Sequence, residues 1–170
     1  MSARHKARKR ALDILFAADI RGVRVLDVLE QERTQVHDDP KRFSDADYAT
    51  ELVRGVANHH HTIDAALREV ATDWPLERLA TVDRAILRIG VYELNYREDI
   101  PTPVAVSEAG ELAGELSTDD SRSFVQGVLG AVAKNLPLVE LEPPDVAVEE
   151  IEPFDTAVEE VEPSDTAVEE

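Results

Sequence analysis

The 170-residue chain has no cysteine. Disulfides, thiolate catalysis and cysteine-based zinc sites are therefore excluded, and a reducing, cytoplasmic compartment is expected. Aromatic residues are scarce, at 5% of a chain that is 43% apolar, so the core must be mainly aliphatic. No run of about 18 apolar residues occurs, so no membrane-spanning helix is expected. Asp13 and Asp19 interrupt the N-terminal stretch that a secretory leader would need. A glycine-rich phosphate loop after a strand, a nucleophile elbow and a Ser/His/Asp arrangement are also missing. The expectation is a protein that is not an enzyme and needs no cofactor.

Charge is plentiful but unevenly placed. The formal net charge of −18 argues against a nucleic-acid partner, yet residues 138–170 hold 13 acids and no Lys or Arg. Residues 1–137 carry 23 acids and 18 bases, and residues 1–24 carry seven Lys or Arg against two Asp. Local distribution, not the total, sets the field that a partner meets. The acidic segment is a decapeptide repeat: Glu142 to Ile151 recurs from Glu152 to Val161 and again, one residue short, from Glu162 to Glu170. Each unit carries proline and like charges with little apolar surface, so residues 138–170 are expected to be a disordered tail and residues 1–137 the folded domain.

Within that domain the apolar spacing is helical throughout. Ala7, Ala11, Ile14, Leu15 and Ala18 form one stripe, stopped at Gly22. A second helix runs from Val23 to about Val36. A third opens at Ser44, with Asp47 as its capping acid, and carries a long stripe from Tyr48 to Val70 before Trp74-Pro75. Val82 to Tyr96 is apolar nearly all round, which belongs at the centre of a bundle. Thr102 caps a helix whose first residue is Pro103, and Thr118 opens the last helix, with Asp119 and Asp120 at the favourable end of its dipole. Pro103 to Val106 is the one weak strand candidate.

Arg4, His5, Lys6, Arg8, Lys9 and Arg10 crowd the start of the first helix. Cations there oppose the helix dipole and repel one another, so an RNA or DNA partner is one explanation and a solvated, frayed terminus the other. Leu12 and Phe16 lie off the main stripe, as does Phe124, which is close to Arg122. Each aromatic either stacks an unpaired base or fills a gap against a neighbouring helix. Arg84 and Arg88 are one turn apart on one face: either each pairs with a carboxylate, Asp83 and Glu93 being close by in sequence and the favoured reading, or together they face an anion. Three consecutive histidines, His59 to His61, point about 100° apart on a helix and are poor metal ligands. No metal site is expected.

Three stretches together resemble the bacterial transcription antitermination factor NusB family, over roughly Ser2 to Leu136. They are Arg4 to Phe16; Val82 to Ile89 running on to Tyr92-Glu93-Leu94; and Pro103 to Ala109 followed by Phe124 to Leu129. The resemblance implies an all-α fold of about seven helices in two packed subdomains. It implies binding of the single-stranded boxA element of nascent ribosomal RNA, together with the ribosomal protein NusE. It further implies membership of an RNA polymerase elongation complex with other Nus factors, in support of rRNA transcription and processing. By position, Arg4, His5 and Arg8 resemble the family's arginine-rich RNA-binding motif and Phe124 its base-contacting aromatic; Lys6, Lys9, Arg88 and Arg122 are expected to bind RNA beside them. Phe16, Asp83 and Asp120 resemble residues at the partner interface. His5 stands where the family often has Arg, and Ser107 and Gln126 where Asn is usual; the acidic repeat lies outside the family pattern. Two rival readings are the NusB-like front domain of an rRNA cytosine methyltransferase, which would need a further cofactor-binding domain, and a structural helical adaptor, for instance a homodimer.

Overall fold

Seven helices and one 3₁₀ turn make up the secondary structure of the described residues, 2–36 and 43–142 of the computed structural model. Helix α1 spans Ala3–Arg21. The Ser2 hydroxyl caps it by accepting the His5 N–H. Gly22, at φ +64°, closes it by returning its N–H to Ala18 and Asp19, a left-handed geometry that a side chain would disfavour. Helix α2, Val25–Val36, follows at once, with Arg24 forked onto Asp27 in its first turn.

The long third helix expected from the apolar stripe is two helices, α3 (Phe43–Asn58) and α4 (His60–Val70). The break is at His59, whose backbone sits at φ −110°, ψ 21°. Neither glycine nor proline marks it. The His59 ring stacks on Tyr96, with centroids 3.9 Å apart, and its Nδ1 lies 2.6 Å from a Glu140 oxygen. These partners are distant in sequence, so the interruption is a tertiary feature that local periodicity cannot show.

A 3₁₀ turn, Leu76–Arg78, leads to α5, Thr81–Tyr96. Ile86, Leu87, Ile89 and Val91 are buried around its circumference, and it packs against α1, α3, α4, α6 and α7. Helix α6 is Thr102–Leu116; Pro101, not Thr102, occupies the cap position, and Pro103 stays within the first turn. The weak strand candidate is therefore helix. Helix α7, Asp119–Ala133, begins with a capping box between Thr118 and Ser121. Helices α1–α3 pack mutually, α4–α7 form a second group, and α1 and α3 join the two through α5 over one continuous core.

The chain beyond α7 stays on the domain. The Leu138 N–H donates to Asn95 and the Leu141 N–H to Thr62. Glu140 accepts from the Tyr96 hydroxyl at 2.6 Å. Burial, followed by that hydrogen bond, pushes the Tyr96 phenol up to about 12. These bonds hold Leu138 to Leu141, the first residues of the expected tail, against α4 and α5. The repeat itself lies outside the described residues. No described helix is long and apolar enough to cross a membrane.

Candidate nucleic-acid interface

The first two turns of α1 bring their cations against acids from distant segments. Arg8 is 2% exposed. Its Nε donates to Glu93 Oε1 at 2.7 Å, and its Nη1 lies 3.3 Å from Glu108. Glu93 is 1% exposed and also accepts from the Tyr48 hydroxyl. Burial pushes the Tyr48 phenol well above its ordinary range, and the Glu93 charge adds to this. Arg97, Arg4 and Arg8 lie over the Tyr48 ring at 4.9, 5.4 and 5.9 Å. Arg4 donates to Asp99 at 3.0 Å. Hydrogen bonds from Arg97, reinforced by Arg4, hold the Asp99 carboxyl below its usual range.

His5 is 5% exposed, with Nδ1 2.8 Å from Glu108 and Nε2 3.2 Å from Glu115. Lys9 lies 3.9 Å from Glu115. Lys6 is exposed, with no ion-pair partner among the described residues. The sequence motif therefore divides. Arg8 and His5 are buried links between α1 and the α5–α6 layer, whereas Arg4, Lys6 and Lys9 keep side chains at the surface.

On α7, Arg122 is exposed and runs over Gly114 of α6. A Cβ at that glycine would lie 3.0 Å from the Arg122 Nε, so the small residue makes room for it. Phe124 is half-buried and packs against the core, which leaves part of its ring for a ligand. Arg88 departs from the expectation. Its Nε and Nη2 fork onto Asp64, and its Nη1 lies 3.4 Å from Asp19. Burial raises the Asp64 carboxyl, but hydrogen bonds from His60 and Arg88 outweigh it and hold it at about 2. Arg88 thus ties α5 to acids of α4 and α1. Arg84 likewise pairs with Asp19, so neither arginine uses Asp83 or Glu93 as expected.

Of the proposed partner residues, Phe16 is 37% exposed, with Ile20 also exposed one turn along. Asp120 is exposed in the first turn of α7. Asp83 is not a surface acid. It is 8% exposed, one oxygen accepts from Ser121 at 2.9 Å, and the other is buried without a hydrogen-bond partner. Leu12, grouped with Phe16 in the sequence, is in the core at 2%. Sequence reasoning missed Asp99 and Glu108, took Tyr48 only as a stripe residue, and offered Glu93 to Arg84 and Arg88 where it pairs with Arg8. A cationic helix start signals that acids must come from elsewhere, but not from which helix.

The profile of the NusB family matches residues 5–134. The transcription antitermination protein NusB of Leifsonia xyli subsp. xyli is 48% identical over 137 residues, spanning 81% of this chain and 95% of that protein. The protein of the same name from Kineococcus radiotolerans is 49% identical over 134 residues, spanning 79% and 95%. Among solved structures, T. maritima NusB aligns with a TM-score of 0.68 at 30% identity, covering 77% of this chain and 90% of that one. A crystal structure of antitermination factors NusB and NusE in complex with dsRNA aligns with a TM-score of 0.69 at 26% identity, covering 79% and 98%.

Proposed function

The chain belongs to the NusB family, and from that premise we propose that it is an RNA-binding transcription antitermination factor, not an enzyme. It binds the boxA element of nascent rRNA together with NusE and joins the RNA polymerase elongation complex, in the cytoplasm where that RNA is made. The observation that carries this reading is the family match across the whole helical domain, residues 5–134. The surface supports it. Arg4, Lys6 and Lys9 on α1 and Arg122 on α7 offer phosphate contacts, and the open side of Phe124 offers a stacking face. Arg8 and His5 contribute by holding the first turns of α1 in place. Phe16 and Asp120 are the surface residues proposed to meet NusE, with Asp83 bracing the start of α5 against the start of α7 through Ser121.

Titration of labelled boxA RNA, with random RNA as control and with and without NusE, tests the proposal. Affinity should exceed that for random RNA and rise with NusE. Lys6→Ala and Arg122→Ala should each reduce the salt slope by about 0.7, one single-strand phosphate contact. Phe124→Leu, which keeps an apolar side chain against the core, should cost about 1–3 kcal/mol of RNA affinity without lowering the melting temperature. Equal affinity for boxA and random RNA in the presence of NusE would contradict the reading.

A further inference from the structure

Glu108, Glu111 and Glu115 fall at i, i+3 and i+7 on α6 and so project from one helix face. Acids at this spacing repel one another unless something is held between them. Opposite them, Ser2 and His5 from the start of α1 complete a cavity of about 290 Å³. The cations nearby compensate only in part: Arg8 is shared with Glu93, and Lys9 is 3.9 Å from Glu115. Glu111 has no ion-pair partner among the described residues.

The His5 ring supplies the second observation. Its Nδ1 faces Glu108 at 2.8 Å, while its buried Nε2, although 3.2 Å from Glu115 Oε1, is out of line for a hydrogen bond and has no hydrogen-bond partner. Nδ1 is therefore the nitrogen that faces the Glu108 side, and Glu115 stands beside Nε2 where the carboxylate partner of a metal-bound imidazole stands. A nitrogen of His5 and one oxygen each of Glu108 and Glu111 lie within 4.8 Å of one another. Small rotations of the exposed Glu111 side chain would contract this set to coordination distance.

We infer that His5, Glu108 and Glu111 form a binding site for a divalent transition-metal ion, with Glu115 placed to orient the imidazole through its second nitrogen. One imidazole with carboxylates suits Zn²⁺ or Co²⁺ better than Ca²⁺ or Mg²⁺, which take oxygen ligands alone. The ion would pin the first turn of α1 to α6 and offset the negative charge of the Glu108, Glu111 and Glu115 face. Metal binding itself does not depend on the RNA reading.

The test uses the untagged full-length chain stripped with chelator, titrated with Co²⁺ by visible absorption and with Zn²⁺ by calorimetry. One ion per chain should saturate at micromolar metal, with a Co²⁺ spectrum that Zn²⁺ abolishes, and excess Zn²⁺ should raise the melting temperature. His5→Gln and Glu111→Gln should each weaken binding by about tenfold or more, with metal-free helicity unchanged. A His60→Gln/His61→Gln double variant should bind as the parent does. If His5→Gln fails to fold, Glu111→Gln at its exposed position decides. Wild-type affinity in Glu111→Gln, loss of binding in the His60/His61 variant, or no stoichiometric Co²⁺ spectrum would each overturn the site.

Discussion

Arg8 holds Glu93 at 2.7 Å in a pocket closed by Tyr48. With Glu93 only 1% exposed, removing the guanidinium leaves a buried carboxylate without its cation. Arg8→Ala is therefore expected to cost about 3–5 kcal/mol of stability, read as a marked fall in melting temperature, whereas Lys6→Ala should leave melting unchanged. Lost RNA binding in the first variant would report folding and in the second contact. A second prediction concerns acid. Asp64 sits at about 2 against an ordinary 3.8. A depressed carboxylate contributes stability that is present above about pH 4 and is lost as pH falls from 4 toward 2. Asp64→Asn should cost up to about 2 kcal/mol at neutral pH and flatten the decline between pH 4 and 2 in chemical denaturation. Helical spacing placed Arg8 beside the α1 stripe. It could not show that Glu93, 85 residues away, would draw the side chain inward, or that Asp64 would claim Arg88.

The helices were the most legible level because their signals are local. Gly22 as the stop of α1, the all-round apolar α5 and the Thr118 cap are each carried by a few adjacent residues and stand in the structure as read. What local spacing did not show has nonlocal causes. The α3–α4 break depends on the Tyr96 ring and on Glu140, and the docked strip through Glu142 depends on Asn95 and Thr62. The Thr118 cap gives the element-scale prediction. Its hydroxyl accepts the Ser121 N–H, and Ser121 in turn donates to Asp83 on α5. Thr118→Ala should destabilise the fold by about 1 kcal/mol, measurable as a lower denaturation midpoint with an unchanged slope.

At the scale of the whole molecule, charge distribution decides which partner can approach. The net charge of −18 conceals an N-terminal segment rich in cations, and 11 of the 36 acids follow Glu142. Truncation after Glu142 should raise affinity for random RNA at low ionic strength, with the gain fading as salt screens the remaining field; anisotropy at two salt concentrations checks this. Function was legible because three separated stretches, in order and spacing, pointed to one family. The site was only partly legible, since a motif records which cations are present but not which become buried. The most direct test of the central claim is transcription through a terminator downstream of boxA, by RNA polymerase reconstituted with NusE and the other Nus factors. Adding this chain should increase readthrough, and mutating boxA should abolish the increase; readthrough that is unchanged by the chain, or raised equally without boxA, would contradict the account.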